Sequence, residues 1–193
     1  VKSDWKDYQY HEVDGRALHI FDNLINYDER EHMYAWCSSR DFCTTGNDTQ
    51  RPEHLGDFNL FSPIEWEDIE TRCPLARAEN IHYLSPFLEG YIRTQSRVNL
   101  STLHDKDRFH TDGGSGSPCL TLLYYPHMTW DKEWGGYTLF TDRTGKNLEF
   151  VSFYEPGRII LFDGLIPHCI SNPNPQAPFY RLSFVIQYVK DNS

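Results

Sequence analysis

The sequence predicts an all-β sandwich or barrel preceded by a flank that mixes helix and strand. Two observations predict it. From about residue 92 onward, short runs rich in β-branched and aromatic residues alternate with turn signals. Helical patterns lie ahead of those strands, with no βαβ alternation, which argues against a parallel α/β sheet. The 193 residues are read as one domain, with 1–91 as the flank and 92–193 as the β core.

In chain order, Leu18–Phe21 reads as a short strand. Asn26 caps a helix running to about Cys37, with Asp28, Glu29 and Glu31 near its positive end. Arg40 to Gly56 is polar and broken by Gly46, Asn47 and Pro52, so it reads as a loop. Ser62-Pro63-Ile64-Glu65 has the form of a helix start, Ser as cap and Pro at the first position. That helix is expected to end near Cys73, ahead of Pro74. A further helix is expected between Leu75 and Tyr91. Strands then follow at 97–103, 120–125, 137–140, 150–153, 159–162 and 182–189. Gly113-Gly114-Ser115-Gly116, Gly135-Gly136, Glu155-Pro156-Gly157 and Asn172-Pro173-Asn174-Pro175 break them.

Charge and composition exclude several classes. The net charge of −10, with no Lys/Arg cluster, argues against a nucleic-acid partner. No apolar run approaches the roughly 20 residues that span a bilayer. Val1-Lys2-Ser3-Asp4-Trp5 lacks the apolar core of a signal peptide, so a cytoplasmic location is expected. The five cysteines are irregularly spaced and form no C-x-x-C, which suits reduced thiols in a reducing compartment. Asn47-Asp48-Thr49 and Asn99-Leu100-Ser101 match the glycosylation pattern, a match that short motifs make by chance.

The chemistry sits in His110-Thr111-Asp112, then Pro167-His168, then Tyr180-Arg181-Leu182-Ser183. Alternate residues of a strand point the same way, so His110 and Asp112 can reach one ion while Thr111 points away. His168, just beyond an apolar run, supplies a third ligand. Two imidazoles and one carboxylate leave a metal face open, as suits non-heme Fe(II) oxygenases. Arg181 and Ser183 share a strand face, with Leu182, Phe184 and Ile186 on the other. An inward Arg needs an acidic partner. A bound dicarboxylate, held by two parallel hydrogen bonds with Ser adding a third, is preferred over an internal salt bridge. His104 and His127 read as surface residues, and Trp130, Trp134, Tyr124 and Tyr137 as core aromatics.

These stretches, with Leu120–Tyr125, Trp130-Asp131, Trp134–Phe140 and Glu155–Gly164, resemble the Fe(II)/2-oxoglutarate dioxygenases of the prolyl-4-hydroxylase-like branch. The resemblance covers about residues 97–189. It implies a mainly β fold, a double-stranded β-helix (jelly roll) with N-terminal helices. It implies Fe(II) at His110, Asp112 and His168, and 2-oxoglutarate bound by Arg181, Ser183, Tyr125 and Asn99. Tyr125 also shares strand parity with Thr121 and Leu123. No catalytic residue beyond the metal site is implied.

The implied activity is hydroxylation of an unactivated C–H bond with O2, releasing succinate and CO2, with ascorbate in support. The substrate class is a peptide residue, an amino acid or a small metabolite. Asp112 favours hydroxylation, since related halogenases have Gly or Ala there. The rivals are an AlkB-like demethylase, disfavoured by the acidic charge, a cupin-type metal-dependent jelly roll, which usually shows H-x-H, and a catalytically dead binding module on the same fold, against which the intact ligands and anchor argue.

Overall fold

Eleven strands form two antiparallel sheets in the computed structural model, which describes residues 7–44, 60–76, 78–105, 107–113, 118–177 and 180–191. In chain order they are β1 (Tyr8–Val13), β2 (Arg16–Phe21), β3 (Cys43–Thr44), β4 (Leu60–Pro63), β5 (Tyr91–Ser101) and β6 (Cys119–Tyr124). There follow β7 (Thr138–Thr141), β8 (Leu148–Ser152), β9 (Ile159–Asp163), β10 (His168–Ile170) and β11 (Arg181–Lys190). The large sheet runs β1-β2-β9-β6-β11-β5-β4-β3 and the small one β10-β7-β8.

The chain crosses repeatedly between the sheets. It leaves β5 of the large sheet, touches the small one where His110 bridges His168, and returns as β6. It then gives β7 and β8 to the small sheet, β9 to the large, β10 to the small and β11 to the large. That winding is the jelly-roll arrangement expected. The flank contributes more than helices, because β2 pairs with β9 and β4 with β5 inside the large sheet.

The central strands are buried on both faces, which is why they read as continuous apolar runs rather than alternating ones. On the outer face Leu122, Tyr124, Leu161, Leu182 and Phe184 pack with Met33, Trp36, Ile69, Leu75 and Leu84 of the helical layer. On the inner face Leu123, Tyr125, Ile160, Phe162 and Val185 pack with Phe140 and Tyr154. Each large apolar side chain fully buried this way contributes about 1.5–3 kcal/mol. The outer core fixes the strands, and the inner face is left to build a site.

Three helices make the outer layer: α1 (Tyr27–Ser38), α2 (Trp66–Arg72) and α3 (Ala78–Leu88). Asn26 caps α1 as expected. Its side chain accepts from the Glu29 amide and the Glu29 carboxylate accepts from the Asn26 amide. Pro74–Ala76 form a single 3₁₀ turn.

Two readings are corrected. Ser62 and Pro63 do not open a helix. They end β4, paired with Val98 and Arg97, and α2 begins at Trp66 with Glu65 at its N-cap. Cross-strand pairing with β5 overrides the local capping pattern. The strand expected from Arg97 starts at Tyr91, directly after Gly90, which takes a positive φ of 76°. Within the expected loop 40–56, Cys43–Thr44 pair with β4, while residues 45–56 lie outside the described residues, as does Gly114–Gly116. All five cysteines are free thiols, four of them buried.

Candidate metal centre

His110 and His168 face each other across reciprocal backbone hydrogen bonds of 3.0 and 2.9 Å, with ring centroids 4.5 Å apart. The H-x-D segment is not the regular strand the spacing suggested. Only His110 joins the small sheet, and Asp112 sits in a bend whose amide donates to the Gly164 carbonyl at 2.8 Å. The side chains converge all the same: one donor atom from each of His110, Asp112 and His168 lies within 4.8 Å of the others.

The hydrogen bonds behind the cluster decide what it presents. His110 Nδ1 lies 2.8 Å from the Arg108 carbonyl, and His168 Nδ1 lies 2.9 Å from the Ile166 carbonyl. A carbonyl only accepts, so each Nδ1 carries the proton and each Nε2 turns a lone pair to the centre. Asp112 Oδ1 lies 3.9 Å from His110 Nε2, and its Oδ2 lies 3.5 Å from His168 Nε2. Thr121 donates its hydroxyl to Oδ2 at 2.6 Å and fixes the carboxylate's rotation. Burial lowers the pKa of His168 against the opposing pull of Asp112, which favours the neutral imidazole that a metal requires. His168 and Asp112 are buried, whereas His110 stands partly in solvent.

The three residues line a cavity of about 330 Å³, shared with Thr121, Thr138, Asn99 and Ser183. Behind its wall lies Arg181, fully buried. Its Nε donates to the Gly136 carbonyl at 2.8 Å and its Nη2 to Thr138 Oγ1 at 3.3 Å, while Nη1 has no partner. The guanidinium carbon lies 5.3 Å from the Tyr125 ring centre and 5.2 Å from that of Tyr154. No carboxylate pairs with it among the described residues, so the internal salt bridge weighed above is not seen there. Ser183 Oγ is also buried without a partner.

Gly136 makes this approach possible. It holds φ at 74°, and a Cβ there would lie 3.1 Å from Arg181 Cδ and from Trp130 Cζ2. Asn99 stands directly opposite Ser183 in the β5–β11 register. Tyr125 is buried, and its hydroxyl meets Thr138 Oγ1 at 2.7 Å. Thr138 is thus the group on the cavity wall that touches both Tyr125 and Arg181. Sequence reasoning missed it and Thr121, because a threonine on a strand carries no distinguishing signal.

His104 is exposed, as expected. His127 is not the surface residue expected. It is buried, with Nε2 2.9 Å from the Tyr180 carbonyl and 3.2 Å from the Leu182 amide, and burial lowers its pKa to about 4. It therefore braces the backbone on both sides of Arg181.

No protein-family model and no curated protein matches the sequence. The fold does match solved structures. A prolyl-4-hydroxylase from Pseudomonas putida superposes with a TM-score of 0.58 at 13% identity, covering 91% of this chain and 93% of that one. A prolyl hydroxylase from Trichoplax adhaerens, solved with a peptide fragment of the hypoxia inducible factor oxygen degradation domain, gives 0.56 at 17% identity, covering 90% and 84%. The non-heme alpha ketoglutarate dependent epimerase SnoN, from nogalamycin biosynthesis, gives 0.65 at 13%, covering 90% and 78%. It has also been solved with Fe3+, alpha ketoglutarate and nogalamycin RO. At these identities the likeness is one of fold. The chain has the fold of the Fe(II)/2-oxoglutarate oxygenases, prolyl hydroxylases among them, and carries a His-Asp-His cluster able to hold one metal ion.

Proposed function

We propose that this protein is a non-heme Fe(II)/2-oxoglutarate-dependent oxygenase that hydroxylates an unactivated C–H bond. The observation that carries the reading is a pair of orphaned buried donors, Arg181 Nη1 and Ser183 Oγ, in the same barrel as the His-Asp-His cluster. A buried guanidinium with one nitrogen unpartnered and no counter-charge among the described residues is costly. The far carboxylate of 2-oxoglutarate supplies the missing acceptor for both.

Each residue then has a task. His110, Asp112 and His168 would hold the iron through two Nε2 lone pairs and one carboxylate. Thr121 orients Asp112. Arg181 and Ser183 take the distal carboxylate, Thr138 and Tyr125 steady the guanidinium, and Asn99 borders the same pocket. When bound, iron and 2-oxoglutarate supply the oxidising chemistry with O2, releasing succinate and CO2. The protein orients the substrate and excludes water.

The substrate is a peptide residue, an amino acid or a small metabolite. The peptide bound in the Trichoplax structure supports the first of these. H-x-D rather than H-x-H stands against a cupin-type enzyme, and the net charge of −10 against an AlkB-like one. Among the described residues no helix is long and apolar enough to cross a membrane. The test is a screen for succinate release over amino acids, peptides and nucleosides, with product mass checked for one added oxygen. Protein loaded with Mn(II) that takes up neither 2-oxoglutarate nor N-oxalylglycine would sink the reading.

A further inference from the structure

The inner face of β5 carries a second arginine whose chemistry the proposed reaction leaves unused. Arg97, Asn99 and Ser101 stand opposite Val185, Ser183 and Arg181 of β11. This two-strand row therefore has an arginine at each end. Arg97 and Ser101, the partner of Arg181, lie four residues apart, about 13 Å along a strand. Arg181 is buried behind the wall, whereas Arg97 lines the cavity itself, together with His110, Asp112 and His168.

Arg97 is half-buried, and its Nε is buried without a hydrogen-bond partner. No carboxylate pairs with it among the described residues. The contrast with Arg93, four residues earlier on the same strand, is direct: Arg93 lies 3.7 Å from Glu70. Two carboxylates in the cavity are committed elsewhere. Asp105 accepts from the Thr102 amide and hydroxyl at 2.7 and 3.0 Å. Asp107 accepts from the Ile170 amide at 2.6 Å and the Arg108 amide at 3.0 Å. On the other side, Leu60 and Phe61 of β4 give the cavity an apolar border. A buried guanidinium N–H without an acceptor is unfavourable, and the fork it belongs to matches an oxyanion with two parallel bonds.

Building on the oxygenase reading, we propose that Arg97 selects the primary substrate by binding an oxyanion on it, a carboxylate or a phosphate, away from the C–H bond that reacts. Arg181 and Arg97 then divide two anions between them, one from the co-substrate and one from the substrate.

The test uses protein loaded with Mn(II) and saturated with N-oxalylglycine, titrated by calorimetry with propionate, inorganic phosphate and the neutral control propionamide. At least one of the two anions is expected to bind and propionamide is not. Arg97→Gln is expected to weaken that anion at least tenfold while N-oxalylglycine affinity stays within about twofold, which also shows that the variant is folded. Propionate against phosphate identifies the oxyanion. Binding of neither anion overturns the proposal. So does equal binding to Arg97→Gln, which would put the anion elsewhere in the cavity, on the metal or on Arg108, or loss of N-oxalylglycine from that variant, which would assign Arg97 to the co-substrate. If the wild-type protein takes up no N-oxalylglycine at all, the oxygenase reading itself fails, and this inference with it.

Discussion

Thr121 Oγ1 donates a 2.6 Å hydrogen bond to Asp112 Oδ2, the carboxylate oxygen that faces His168. Such a bond orients a ligand without touching the metal. Partners of this kind typically matter about 10–100-fold in metal affinity. Thr121→Val keeps the shape and removes the donor. We expect Mn(II) affinity, followed by electron paramagnetic resonance, to fall by about that factor with the melting temperature little changed. Undiminished affinity would mean that Asp112 needs no orienting bond.

Arg181→Met is expected to abolish N-oxalylglycine binding and spare Mn(II) binding. Losing the partner of a desolvated carboxylate costs about 3–5 kcal/mol. The apo protein should lose little stability, because the two hydrogen bonds to Gly136 and Thr138 that are removed are offset by release of a buried guanidinium nitrogen that has no partner. Calorimetry reads the first effect and urea denaturation the second. Retained affinity would mean that Arg181 does not serve the co-substrate.

On the proposed reading, the carboxylate of Asp112 takes the place a halide would need at the metal. With an identified substrate, the unmutated protein should give only the alcohol in chloride or bromide buffer, read by product mass. Asp112→Gly should lose nearly all hydroxylation. A halogenated product from the unmutated protein would refute the ligand role of Asp112.

His127 gives a pH signature. Its pKa is about 4 in the fold against about 6.5 unfolded, so the unfolded chain binds the proton first as pH falls. The stability tied to neutral His127 is whole above pH 6.5 and is lost progressively down to pH 4. The loss amounts to about 3 kcal/mol at about 1.4 kcal/mol per pH unit. Urea midpoints of wild type and His127→Phe should diverge at high pH and converge toward pH 4. A constant difference across that window would contradict the assignment.

The site was more legible in the sequence than the frame around it. His110, Asp112, His168 and Arg181 stand out because few structural roles call for those side chains at that spacing. Asn26 was equally plain, since its capping box is complete within four residues. The β1–β2 hairpin was missed although Asp14-Gly15 is its signal: both take positive φ, 47° and 76°, as a tight two-residue turn demands. Ser62-Pro63 misled because a local pattern competed with pairing partners more than 30 residues away. His127 misled in the same way, since its burial comes from Tyr154 and from β11. Thr121 and Thr138 matter only through what they touch, and one-dimensional sequence does not record that.

The single bridge between His110 and His168 has a thermodynamic consequence. The small sheet has three full strands, and among the described residues the segment bearing His110 joins its backbone ladder by that one bridge, with the side chain of Asp107 adding a bond to the Ile170 amide. An ion shared by His110, Asp112 and His168 cross-links this segment to β10, doing work that a longer ladder of backbone bonds would otherwise do. Local order and metal occupancy then become one coupled equilibrium. A chelator should act there as a site-restricted denaturant, speeding amide exchange in residues 107–113 while leaving β6 and β11 protected.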